Sequence, residues 1–181
     1  MHVSLDGFVA GPNGEMDWIN VDDELFDFAN RRTNASDSAL YGRKTYEMMD
    51  AYWPTAPDQP NASRHDIEHG NWYNKIEKLV ISKTLKSDPS KKMKVIGNDL
   101  ANDIMAIKNS PGKEIVVFGS PSAGHSLAQL GLVDEYWLFV NPMLLGKGIP
   151  MFNGQKTITR MRLVEMHSFK SGVVCLNHQR L

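Results

Sequence analysis

Ile115-Val116-Val117-Phe118 is wholly apolar and runs straight into Gly119-Ser120-Pro121-Ser122-Ala123-Gly124-His125-Ser126. A short apolar run that stops at glycine reads as a strand covered on both faces. The glycine-rich corner then opens a helix, whose free N–H groups and positive dipole end attract an anion. The order recurs at Ala39-Leu40-Tyr41-Gly42, where a helix is expected from Thr45 toward Tyr52, stopped by Pro54. Strand-like and helix-like stretches alternate along the chain, which predicts an α/β architecture.

The remaining pattern fills in that frame. Residues 2–9 read as a strand, followed by a turn at Gly11-Pro12-Asn13-Gly14. Asp22 is placed to cap a helix with Leu25, Phe28, Ala29 and Arg32 on its inner face. The polar stretch 54–74 reads as a surface excursion with a short helix, and 79–82 and 95–96 as strands. Asp99 should cap a helix carrying Leu100, Ile104 and Ile107 on one face. The helix near Ser122 should turn Ala123, Leu127 and Leu130 inward and stop at Gly131. Tyr136–Val140 is a second wholly apolar strand. Residues 160–169 and 173–180 form an antiparallel hairpin about Lys170-Ser171-Gly172. Two central parallel strands, 115–118 and 136–140, with this hairpin predict a mixed sheet, and no linker divides residues 1–181.

Twenty basic against 21 acidic side chains leave a net charge of -1, which speaks against a nucleic-acid binder. No apolar run is long enough to span a bilayer and no secretory core stands at the start, so the cytoplasm is the expected location. Cys175 is the only cysteine, so no internal disulfide forms, in keeping with a reducing compartment.

Three corners carry candidate chemistry. The spacing of the Gly119 corner approaches that of a P-loop, but His125 stands where the phosphate-binding lysine belongs. A diphosphate held mainly by backbone therefore suits it better than ATP hydrolysis, although a plain strand–helix turn also uses small residues. At Gly42-Arg43-Lys44-Thr45, Thr45 is expected to cap the helix and donate to a phosphate. Arg43 and Lys44 add charge suited to the 2′-phosphate that separates NADP from NAD. Ser82-Lys83-Thr84 is a third polar strand end, and three such ends side by side would make a dinucleotide crevice. Leu145-Gly146-Lys147-Gly148 lacks the third glycine of a Rossmann fingerprint and reads as a loop over a site. His65-Asp66-Ile67-Glu68-His69 matches a zinc-helix pattern. Its polar neighbours and the lack of a third ligand make two exposed histidines the expectation, with no metal.

Taken in order, these pieces resemble a known family. Ser4-Leu5-Asp6-Gly7-Phe8-Val9-Ala10 with Gly14-Glu15-Met16-Asp17-Trp18 is similar to its first motif, and Leu40-Tyr41-Gly42-Arg43-Lys44-Thr45-Tyr46-Glu47 to its second. Phe118-Gly119-Ser120-Pro121, Leu132-Val133-Asp134-Glu135-Tyr136 and Pro142-Met143-Leu144-Leu145-Gly146-Lys147-Gly148 resemble its third. The family is the dihydrofolate reductase-like group that includes the reductase domain of the bifunctional riboflavin-biosynthesis deaminase-reductase.

The resemblance implies one three-layer α/β/α domain over 1–181, with a mixed sheet of about eight strands. It implies NADPH as hydride donor, a small-molecule substrate and a homodimer. Cofactor contacts are implied at Gly42, Arg43, Lys44, Thr45, Ser82, Lys83, Gly119, Ser120, Ser122 and Ala123, and substrate contacts near Asp6, Asp17, Trp18, Leu145 and Gly146. Asp6 and Asp17 are the candidate proton donors, directly or through water. True folate reductases carry an acid facing the pterin on the first helix, where Leu25 and Phe28 stand in this chain. The alternatives are a folate reductase proper and a non-catalytic NADPH-binding domain.

Overall fold

The computed structural model describes residues 1–154 and 157–181. The fold is mixed α/β, as expected, and the chain divides into two compact units: Phe26–Ala123, and Met1–Leu25 with Gly124–Leu181.

In the first unit, β3 (Ser36–Gly42), β4 (Glu77–Ile81), β5 (Met93–Ile96) and β6 (Glu114–Val117) form a parallel ladder in the order β5-β4-β3-β6. The register pairs Leu40 with both Leu79 and Val117, Gly42 with Ile81, and Ile81 with Ile96. The carboxyl ends of all four strands therefore lie along one edge. The helices between them are α2 (Arg43–Tyr52), α3 (Arg64–Lys75) and α4 (Leu100–Lys108), with Asp99 capping α4 by accepting from Asn102 N–H. The core beneath the ladder contains Ala39, Tyr41, Tyr46, Tyr73, Val80 and Met93.

Two expectations for this unit change. The 115–118 strand is half-buried and terminal in its ladder rather than covered on both faces. The polar stretch 54–74 carries all but the last residue of a 12-residue helix, α3, opened by a capping box in which Ser63 and Asp66 bond reciprocally.

Tyr41 is fully buried, tilted against Tyr46 and Tyr73 and stacked on Phe118, yet among the described residues its hydroxyl has no hydrogen-bond partner. Burying an unpaired hydroxyl is costly, so Tyr41→Phe should gain about 1 kcal/mol and raise Tm by roughly 2–4 °C. A lower melting temperature in a thermal scan would show that the hydroxyl is needed.

In the second unit, β1 (His2–Ser4) runs parallel to β7 (Glu135–Asn141). The antiparallel strands β9 (Met161–Ser168) and β10 (Val174–Arg180) complete the order β1-β7-β10-β9. The predicted hairpin is present and Gly172 takes φ +84 in its turn. A separate ribbon pairs β2 (Phe8–Ala10) with β8 (Ile149–Pro150). The single strand expected over 2–9 is thus broken. The Ser4 hydroxyl accepts from Phe8 N–H at 3.0 Å and Gly7 takes φ +86, which turns the chain at 5–7. Helix α1 (Asp23–Asn34) starts in this unit, where Asp22 accepts from Leu25 N–H at 2.8 Å, and Leu25 and Phe28 are buried. Helix α5 (Pro121–Gln129) enters it at Gly124. Ala123 and Leu127 are buried and Gly131 takes φ +68, but Leu130, expected inward, is 48% exposed because it lies beyond the last helical turn. Among the described residues no helix is long and apolar enough to cross a membrane.

Candidate active site

The aligned strand ends bring the predicted cofactor residues of the first unit together. Gly42 is the N-cap of α2 in extended conformation (φ −76°, ψ 157°), and no side chain among the described residues caps the helix there. Thr45, expected to be the cap, sits inside the first turn instead, because the helix already begins at Arg43. The first-turn N–H groups of α2 have no acceptor within the helix.

The Gly119 corner lies directly beside them. A Cβ built on Gly42 would overlap the Ser120 hydroxyl and touch Ala123 Cβ at 3.6 Å, while one on Gly119 would meet Thr45 Cγ2 at 3.5 Å. Gly42 thus lacks a side chain because the neighbouring corner fills that space. Gly119 and Ser120 both take positive φ, +52 and +53. For serine this conformation costs on the order of 1 kcal/mol and is held by its surroundings; such strain clusters where the backbone serves a ligand.

Charge surrounds the two corners. Arg43 and Lys44 are exposed, and Arg43 pairs with Glu47 at 3.5 Å. An ion pair this exposed contributes little, so the guanidinium can exchange Glu47 for a phosphate at small cost. Ser82 donates its N–H to the Ile96 carbonyl at 3.1 Å. Its hydroxyl accepts from Thr84 and Leu85 N–H at 3.1 and 3.0 Å, which shapes the turn that presents Lys83 to solvent. Ser122 is exposed and Ala123 buried, both in the first turn of α5.

The predicted substrate residues gather in the second unit. Asp6 is exposed, and its carboxylate accepts from the Ser4 hydroxyl at 2.6 Å and from the N–H groups of Leu145 and Gly146 at 3.1 and 2.7 Å. The Ser4 bond above all, helped by the two N–H groups, holds the Asp6 carboxyl below the usual carboxylate range. Asp6 therefore stays ionised and ties the 145–146 loop to the turn after β1. Replacing it with alanine should speed amide exchange at Leu145 and Gly146 by roughly tenfold, the consequence of losing charge-assisted bonds. Unchanged exchange by mass spectrometry would show that the loop holds itself.

Asp17 is exposed, and Trp18 is half-buried with its indole N–H donated to the Glu15 carbonyl at 3.0 Å. Their loop is tied down where Asn20 N–H donates to the fully buried Asn141 side chain at 2.9 Å.

His65 and His69 differ from expectation. His69 is buried and His65 half-buried, in a ring cluster with Phe26, Trp53, Trp72 and Phe118. Polar neighbours made this helix look like surface, but the Ser63…Asp66 capping spacing was a legible sign of a well-formed helix. Among the described residues no group of three or more His, Cys, Asp or Glu is placed to hold a metal ion. A further pair escaped sequence reasoning: Tyr41 and Phe118, each one residue before a glycine corner, stack at 5.9 Å and brace both corners from below.

Residues 1–175 match the RibD C-terminal domain family. The Bacillus subtilis (strain 168) protein YyaP is 34% identical over 176 residues, covering 95% of this chain and 88% of that protein. Among solved structures, a protein from Shewanella sp. PV-4 assigned to riboflavin biosynthesis superposes with a TM-score of 0.73 at 20% identity, covering 100% of this chain and 96% of the other. The Thermotoga maritima diaminohydroxyphosphoribosylaminopyrimidine deaminase/5-amino-6-(5-phosphoribosylamino)uracil reductase gives 0.67 at 14% identity, over 99% of this chain and 55% of that longer one. The chain belongs to the RibD C-terminal domain family.

Proposed function

We propose that this protein is an NADPH-dependent reductase that transfers hydride to a small nitrogen heterocycle, similar to 5-amino-6-(5-phosphoribosylamino)uracil reductase of riboflavin biosynthesis. The observation that carries the reading is the packing of the Ser120 hydroxyl against Gly42, which sets two glycine corners side by side at one sheet edge. Family membership supports the same reading.

The residues present fit the coenzyme. The uncapped start of α2 and the Gly119-Ser120 backbone offer main-chain N–H groups to a diphosphate, and Arg43, Lys44 and Lys83 offer cations to the additional phosphate of NADP. Thr45, Ser82, Ser122 and Ala123 line the same strand and helix ends. When bound, the reduced nicotinamide supplies the hydride. The chain's own work is to orient the reactants, a contribution that can remove much of a barrier. Asp6 holds the Leu145–Gly146 loop over the substrate, Trp18 packs against the substrate ring, and Asp17 passes a proton in from solvent. Two copies associate as a homodimer in the cytoplasm.

A folate substrate fits less well. Leu25 and Phe28 occupy the buried face of α1, while Asp27 pairs with Arg64 at 2.7 Å and Glu24 approaches His167 at 3.3 Å. Titrating NADPH by calorimetry, then following loss of nicotinamide absorbance with aminopyrimidines and pterins, tests both steps. Binding with turnover of an aminopyrimidine is expected. Binding without turnover on the whole panel would favour a non-catalytic NADPH-binding domain, and tight methotrexate binding would favour a folate reductase.

A further inference from the structure

We infer that His125 is a positioning residue that couples coenzyme binding at the start of α5 to the order of the 145–151 segment on the substrate side. The inference rests on the reductase reading and extends it to a residue outside both groups of predicted contacts.

One turn clasps this segment at both ends. The Asp6 carboxylate accepts from Leu145 and Gly146 N–H at 3.1 and 2.7 Å, and the Gly7 carbonyl accepts from Met151 N–H at 2.8 Å. Between these ends β8 pairs with β2, Ile149 against Ala10 and Pro150 against Phe8. Gly148 lies so close to β2 that a Cβ built on it would overlap the Ala10 carbonyl. The middle of the segment therefore follows β2, and its far end carries one more tie.

His125 supplies that tie. Its half-buried imidazole Nε2 lies 3.0 Å from the Met151 carbonyl oxygen. A carbonyl only accepts, so Nε2 carries the proton in this bond. The N–H and C=O of Met151 are thus gripped from two sides, by the turn after β1 and by α5. His125 also stands where a P-loop has its phosphate-binding lysine. In this chain the side chain at that position is engaged by the protein's own backbone.

Helix α5 joins the two ends of the coupling. It begins at Pro121, with Ser122 and Ala123 in its first turn, and passes from one compact unit into the other at Gly124. His125 follows the helix start by about 6 Å of rise. An anion held on the first-turn N–H groups restrains the helix as one body, and with it the imidazole one turn on. The Met151 carbonyl bonded to that imidazole loses freedom in turn. Such coupling is reciprocal, so an ordered 145–151 segment strengthens coenzyme binding by the same factor.

The test uses the full chain as wild type, His125→Phe and His125→Gln. Phenylalanine keeps the bulk of the ring without a donor, and glutamine keeps an Nε2 donor at similar reach. Calorimetry measures NADPH binding, and mass spectrometry follows amide exchange over 145–151 with and without NADPH. In wild type, saturating NADPH is expected to slow that exchange roughly fivefold, the effect of one hydrogen bond. His125→Phe should still bind NADPH but lose this protection, and His125→Gln should keep most of it. A merely structural histidine behaves differently: its loss would speed exchange equally in both conditions and leave their ratio unchanged, which would overturn the inference. Absence of NADPH-dependent protection in wild type that binds NADPH would also overturn the coupling alone. Failure of wild type to bind NADPH would overturn the coupling together with the reductase reading.

Discussion

Gly42→Ala is expected to weaken NADPH binding by roughly 100-fold or more while leaving a folded chain. The backbone at Gly42 is extended, φ −76°, so alanine meets no torsional penalty there. The penalty is spatial: the new methyl would overlap the Ser120 hydroxyl and reach Ala123. Ser120 has little room to yield, since it already holds positive φ and is 8% exposed. The collision must push the two corners apart, and amide groups placed to converge on one diphosphate lose their common focus. Overpacking of this kind costs about 1–3 kcal/mol, enough for the predicted loss at its upper end. Adding Ser120→Gly should restore much of the affinity by removing the obstructing side chain. That recovery in a double-mutant cycle separates local crowding from general damage. Wild-type affinity in Gly42→Ala would mean that the corners do not act on one ligand.

The strand–glycine–helix pattern made both corners readable, because an apolar run ending at glycine has few other uses. That Gly42 and Gly119 stand side by side was not readable from either stretch alone. It follows from the parallel register of β3 with β6, a pairing between segments more than 70 residues apart. The helix face of 64–75 was misjudged for a related reason. Asp66 and Glu68 mark its outer side, but the ring of His69 is covered by Trp53 and Phe118, which come from elsewhere in the chain. The break at 5–7 depends on hydrogen bonds that Ser4 makes to Phe8 and Asp6, which strand-like composition hides. The Asp6 link to Leu145 and Gly146 spans about 140 residues, so the resemblance grouped these residues but no local pattern joined them.

Acidification should destabilise the chain through His69, and His69→Phe should remove that part of the loss. The imidazole is buried among Trp53, Trp72 and Phe118, and its Nε2 has no hydrogen-bond partner among the described residues. Burial, with a smaller contribution from neighbouring His65, lowers its pKa to about 4 from the ordinary 6.5. Between these values the unfolded chain binds a proton that the folded chain refuses. The stabilisation is therefore complete above pH 6.5 and is lost progressively as pH falls toward 4, reaching about 3 kcal/mol. The charged groups on the same helix are Arg64, Asp66, Glu68 and, in the last turn, Lys75; Arg64 and Asp66 are tied to Asp27 and to Ser63 and Tyr52, and the rings packed on His69 from other elements carry no fixed charge. His2, which burial also lowers to about 3, loses stability in the same direction but does so equally in both proteins, so it cancels in the difference. Urea unfolding at pH 7, 5.5 and 4 should thus show wild type declining more steeply than His69→Phe. Parallel declines would mean that the buried ring takes up its proton without cost to the fold.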